Sequence, residues 1–294
     1  MFYRRKILLS LLQSFDNKIE KIALQKLLLL FSELQTKPAF HFVPYKFGCF
    51  SFQANADLLT MTKYGQVSEN GNYWVSSDKT EFSSELKEED LSVLRTIRKQ
   101  YYGKTKEELL KLTYTKFPYY SINSTILHQV LNDTEYQNVL HSRPHQEGTV
   151  LYTIGYEGIN FEEYLNKLIF SDVKLLCDVR RNPISMKYGF SKSQLKKGCE
   201  GVGIQYLHLP VFGIESEKRQ ELHSQSAYDS LFLQYRKVIL ASTIPQQEEL
   251  LGLLKAHKRV ALTCFEANIH QCHRTHLAQS LFHLRNFPFE LKHI

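Results

Sequence analysis

The chain has 294 residues, 43% of them hydrophobic and 23% charged, with 17 Tyr and 19 Phe against a single Trp. That length suits two domains of ordinary size or one large one, and that balance supplies a packed core and excludes a disordered chain. The net charge of +7 divides into +3 over residues 1–148 (19 Lys+Arg, 16 Asp+Glu) and +4 over 149–294 (18 and 14), so the basic excess is spread out and suits a polyanionic partner.

The first half opens with helices. Ile7, Leu8, Leu11 and Leu12 fall at helical spacing, as do Leu24, Leu27, Leu28 and Phe31, and the helix around Lys21–Glu33 ends before Pro38. A further helix is predicted near Ala54–Lys63. Gln66–Ser68 and Tyr73–Ser76 read as strands around Asn70-Gly71, a pair that tolerates positive φ and favours a tight hairpin. Amphipathic helices fit Glu88–Tyr102 and Lys106–Lys116. Helices followed by a small hairpin make a winged-helix pattern. Leu24-Gln25-Lys26-Leu27-Leu28 with Tyr45-Lys46-Phe47-Gly48 resembles the SocA-like, or Panacea, helical domain over roughly the first 80 residues. A domain of that kind docks a protein partner or reads DNA.

A polar stretch, Ser142–Gly148, carries a Pro and a Gly and separates two rhythms, which predicts domains over residues 1–143 and 149–294. The second half alternates strand and helix. Strands are predicted at Val150–Ile154, Val173–Val179, Ile204–Leu209, Arg259–Cys264 and Phe289–Lys292. Helices fit Phe161–Phe170, Ser191–Gly198, Ala227–Leu240, Gln246–His257 and Cys272–Leu284. The alternation predicts a Rossmann-like α/β domain: a mostly parallel sheet with right-handed crossovers and helices on both faces.

Ligands of such sheets bind outside the carboxyl ends of the strands. Reading forward from each strand gives Tyr156 and Glu157; then Asp178, Arg180, Arg181 and Ser185; then Tyr206 and His208; then Cys264, Glu266, His273 and Arg274. Three carboxylates, three arginines, two histidines and two tyrosines at one edge point to a site. An Asp178–Arg274 or Glu266–Arg180 bridge is the structural alternative, since buried charges must be paired.

Residues 150–280 resemble the family called domain of unknown function 488. The resemblance is carried by Thr153-Ile154-Gly155-Tyr156, by Asp178-Val179-Arg180 with Pro183 and Ser185, by Phe190, by Gly203–Pro210 with Gly213, and by Cys264-x-Glu266 with Cys272-His273-Arg274. It departs after Gly213, where a charged stretch over 215–221 reads as an insertion. The family label states no activity. Some members are similar to base-removing enzymes that act on modified DNA in defence against phages, and a DNA glycosylase is what the resemblance implies.

Three chemistries fit these residues. In N-glycosidic cleavage, Asp178 or Glu266 would stabilise an oxocarbenium-like state or position water, and His208 or His273 would donate to the departing base. Tyr156 and Tyr206 would stack on a flipped base, and Arg180, Arg181 and Arg274 would hold phosphates, with Glu157, Ser185 and Cys264 completing the substrate contacts. On this reading Asp178→Asn and Glu266→Gln spare the fold and remove activity, and Cys264→Ser retains much of it. The second chemistry is rhodanese-like sulfur transfer or phosphatase action through Cys264 and Arg274. The loop between them has no Gly to build a tight anion cradle, and the neighbouring acid disfavours a Cys264 thiolate. The third is a metal held by Cys264, Cys272 and His273, in which adjacent Cys272 and His273 are an awkward pair and an open fourth position is the only workable form. No metal and no cofactor are expected. A non-catalytic module that binds nucleotide or nucleic acid is the remaining reading.

The five cysteines are odd in number and scattered, which suggests no disulfide framework. The basic Met1–Lys6 precedes an apolar run too short for a secretion core, and no apolar run is long enough to span a bilayer. The expectation is a reduced, cytoplasmic protein with DNA as its partner, no membrane, and a protein partner for the first domain.

Overall fold

The computed structural model describes residues 1–215, 224–284 and 288–294, so most of the charged stretch over 215–221 lies outside the described residues. The chain forms two compact units, Met1–Arg143 and Pro144–Ile294.

The first unit runs α1 (Tyr3–Ser14), β1 (Lys18–Glu20), α2 (Lys21–Ser32), β2 (Val43–Tyr45), β3 (Gly48–Phe50), α3 (Phe52–Lys63), β4 (Val67–Asn70), β5 (Tyr73–Ser76), α4 (Glu88–Tyr101), α5 (Lys106–Lys116), α6 (Leu127–Val130) and α7 (Asp133–His141). Helix α2 is buried from Ala23 to Ser32, which is why its sequence is apolar nearly all round. Strands β1, β5 and β4 form an antiparallel sheet in that order. The β4–β5 register pairs Asn70 with Tyr73, so Gly71 and Asn72 occupy the turn and only Gly71 takes a positive φ, of 58°. The turn thus sits one residue later than Asn70-Gly71, with glycine at the first central position, where a two-residue loop with one positive φ requires it.

The Leu24–Leu28 and Tyr45–Gly48 segments meet. Lys26 Nζ donates to the carbonyl of Phe47 and, at 3.2 Å, to that of Cys49, and Gln25 Oε1 accepts from Ser51 N at 2.8 Å. Gly48 has φ +85°, and a Cβ there would stand 2.5 Å from the Tyr114 ring. These motif residues hold one helix to one hairpin.

The second unit runs β6 (Val150–Gly155), α8 (Phe161–Phe170), β7 (Leu175–Asp178), α9 (Lys192–Gly201), β8 (Gln205–His208), α10 (Gln225–Tyr235), α11 (Ile244–His257), β9 (Arg259–Cys264), α12 (His273–Leu284) and β10 (Glu290–His293). All neighbouring strands are parallel, in the order β10-β6-β9-β7-β8. The three inner strands are buried on both faces and the outer two are half exposed, which matches apolar runs inside and mixed ones at the edges. Right-handed crossovers send α8 and α9 to one face and α10–α12 to the other. On the latter face Phe232, Leu250, Leu254 and Leu277 pack on Leu151, Leu175 and Leu262. This is the α/β sheet with helices on both faces that the sequence predicts. No helix among the described residues is long and apolar enough to cross a membrane.

Candidate active site

The register fixes which groups share an edge. Gly155 pairs with Cys264, Asp178 with Thr263, and Asp178 with His208, so the ends of β6, β9, β7 and β8 stand side by side. The loops that leave them are held close by two glycines. A Cβ on Gly155 would lie 1.9 Å from the carbonyl oxygen of Glu266, and one on Gly213 would lie 2.1 Å from the Arg181 nitrogen. Only glycine permits backbone approach at that distance.

Between these loops opens a cleft of about 540 Å³, lined among others by Tyr156, Glu157, Arg180, Arg181, Ser185 and Glu266. Six of the twelve residues singled out from sequence therefore meet there. The other six do not line it, and each has an engagement that explains its place.

Asp178 is fully buried, and its carboxylate is surrounded by donors. It accepts from Arg180 Nε at 2.8 Å and Nη2 at 2.5 Å, from Arg180 N at 3.2 Å and from Tyr206 OH at 2.8 Å. Arg180 Nη1 spends its hydrogens on Tyr156 OH at 2.8 Å and the Phe190 carbonyl at 2.9 Å. Burial works against the Arg180 charge, but the Asp178 carboxylate outweighs it and holds the guanidinium above its ordinary pKa. Burial, and then Asp178, push the Tyr206 phenol up as well. Asp178 is thus the anchor of Arg180 rather than a group facing substrate. The bridge that forms is Asp178–Arg180, not Asp178–Arg274 or Glu266–Arg180, because the two residues lie on one strand end, where a bidentate fork closes locally.

Tyr156 is only 3% exposed and stacks on Phe190 with centroids 4.2 Å apart at 9°. It has no free face for a base. His208 stands on the far side of Arg180, with Nε2 2.9 Å from the Arg180 carbonyl and Nδ1 3.2 Å from Lys192 Nζ. Arg274 is buried and donates to the carbonyls of Glu266 at 2.6 Å and Ala267 at 3.4 Å, so it staples the β9–α12 loop instead of holding a phosphate. Cys264 and His273 lie beneath Glu266, fully buried and nearly so. The thiol of Cys264 donates to Glu266 Oε2 at 3.2 Å. A buried thiol under a carboxylate, with Arg274 turned to its own loop, is not arranged for attack on a substrate in the cleft.

The sequence reading missed several lining residues. Asn182 and Gln271 bring amide groups, Phe265 is 42% exposed, and Ile184 and Met186 are 76% and 102% exposed on the loop after β7. Phe265 has a legible signal: between Cys264 and Glu266, strand alternation turns it opposite to both. Tyr228 arrives from α10, and nothing in its sequence context marks it. Lys187 donates to the Tyr156 carbonyl at 2.7 Å, and burial draws its pKa down.

With this geometry in place, comparison with known proteins finds one match, and it lies within the second unit. Residues 160–281 match the family model described as domain of unknown function DUF488. The resemblance read from residues 150–280 holds. The DUF488 match spans the helices and strands that bring Arg180, Arg181, Glu266 and Arg274 to the edge. No curated protein and no solved structure matches the chain.

Proposed function

We propose that the second unit is a hydrolase acting on nucleic acid, most concretely a glycosylase that cleaves the N-glycosidic bond of a base. The observation that carries the reading is a shared cleft: the Glu266 carboxylate, 7% exposed, borders the same space as the exposed guanidinium of Arg181 and the exposed ring of Phe265. Glu266 would position water or stabilise the oxocarbenium-like state. Arg181 would hold a phosphate, and Phe265 would offer a face to a base taken out of the stack. Asn182 and Gln271 would read its edge. Ile184 and Met186, apolar and largely exposed, suit insertion where the base has left. Of the two carboxylates that the sequence offers, Asp178 and Glu266, this reading takes Glu266, and no histidine among the described residues lines the cleft.

The test is incubation with plain and base-modified duplex DNA, scoring abasic sites and released bases by mass. Glu266→Gln should lower the rate by about 10²–10⁴-fold with the fold retained. Salt-sensitive DNA retention with no product from the wild-type protein would replace this reading with that of a binding module.

A further inference from the structure

Cys264, Cys272 and His273 are all buried, and one ligand atom from each lies within 4.8 Å of the other two. Their spacing in the chain argues against this, because adjacent residues on a helix point about 100° apart. The fold resolves the difficulty. Cys272 is extended, with φ −131° and ψ 132°, and α12 begins only at His273. The backbone turns between the two residues, and both side chains reach the end of β9.

The histidine is set for coordination. His273 Nε2 lies 3.1 Å from the Val179 carbonyl, an acceptor only, so Nε2 carries the hydrogen and Nδ1 keeps its lone pair. That lone pair stands 3.7 Å from Cys264 Sγ. Zinc at about 2.3 Å from sulfur and about 2.0–2.1 Å from nitrogen, at a tetrahedral angle, separates the two atoms by roughly 3.5 Å. A ligating histidine fixed through its other nitrogen by a backbone carbonyl is the usual supporting arrangement. On the cleft side of the trio, Glu266 Oε2 lies 3.2 Å from Cys264 Sγ.

We infer that Cys264, Cys272 and His273 form a binding site for a zinc-type divalent ion, with a fourth position open toward Glu266 and the cleft. Binding M²⁺ releases the two thiol protons, so two thiolates and a neutral imidazole replace two thiols and a neutral imidazole with no net charge added. A carboxylate two residues from one ligand, beside the open position, is placed to exchange protons with a metal-bound water. The inference does not depend on what the substrate is.

The test needs no substrate. Protein purified without chelators should carry about one zinc ion per chain by elemental mass spectrometry. Cobalt(II) added to the stripped protein should give a thiolate charge-transfer band and tetrahedral visible bands. Cys272→Ser and His273→Ala should lower occupancy by at least roughly tenfold. Glu266→Gln and Cys199→Ala, the latter removing a buried thiol elsewhere in the unit, should retain the metal. Wild-type protein with no bound zinc and a featureless cobalt titration would overturn the site, as would a Cys264–Cys272 disulfide in the native mass. A failed glycosylase assay with intact metal binding would reject the function proposed above and leave this inference standing.

Discussion

Lys26 in the first unit and Arg180 in the second are both buried cations, 1% and 5% exposed, yet their surroundings differ. Lys26 sits among the carbonyls of Phe47 and Cys49 and the Cys49 sulfur, and burial draws its pKa down from 10.5. Arg180 is forked onto Asp178 and stays charged. An ammonium can shed its proton to survive in a closed core, whereas a guanidinium cannot and needs a carboxylate. Lys26 therefore reads as a staple, and Arg180 as a fixed positive charge kept at the wall of a cleft.

The sharpest way to break this contrast is Asp178→Asn. It leaves a buried guanidinium without its counter-charge, and the expected loss is about 3–5 kcal/mol in urea unfolding. The sequence reading expects this substitution to spare the fold. The donors around Asp178 reverse that expectation, and a variant as stable as wild type would show that the pair is not load-sharing in the fold.

How much of this was legible follows from what a one-dimensional pattern carries. Apolar runs placed the three inner strands of the parallel sheet, because strands buried on both faces are continuous in hydrophobicity, and the strand–helix alternation placed the two half-exposed outer ones. The strand-end rule brought Glu266, Arg181, Tyr156 and Ser185 to one edge. The rule says nothing of depth. Asp178 and Glu266 follow equivalent strands, yet one is sealed by Arg180 and Tyr206 and the other borders the cleft. The backbone turn that brings Cys272 and His273 to one point is likewise invisible in spacing. In the first unit, β1 is three residues long and follows positive-φ Asp16 and Asn17, too short a run for alternation to register.

Lys26→Met probes the closed side of the comparison. It strips the Phe47 and Cys49 carbonyls of a donor and should cost about 1–3 kcal/mol. Lys26 also gives a pH signature. Its folded pKa lies below the unfolded value near 10.5, so the unfolded chain binds the extra proton between the two, and stability rises with pH up to about 10.5. The methionine variant should lose that part of the slope. Gly155→Ala probes the open side. Its Cβ would meet the Glu266 carbonyl at 1.9 Å, so the β9–α12 loop must shift, at about 1–3 kcal/mol. Activity should fall further than that loss of stability explains, because the displaced residue is Glu266. Gly252→Ala, with open space around its Cβ, is the matched control.

The smallest effect comes from a half-buried imidazole that stays neutral beside an arginine. His276 is half-buried against Phe232, with ring centroids 4.5 Å apart, and Arg236 Nη1 lies 3.2 Å from its Nδ1. Burial, then the charge of Arg236, draw its pKa from 6.5 down to about 4. The unfolded chain therefore binds a proton that the folded chain refuses between pH 4 and 6.5. The stability it contributes is complete above pH 6.5 and is lost as the pH falls toward 4, the opposite end of the scale from Lys26. Partial exposure screens the interaction, so the expected change is modest. Unfolding curves at several pH values check it: His276→Gln should flatten the acid side of the profile and leave the Lys26 slope unchanged. If both slopes moved together, the two sites would not titrate as separate local environments.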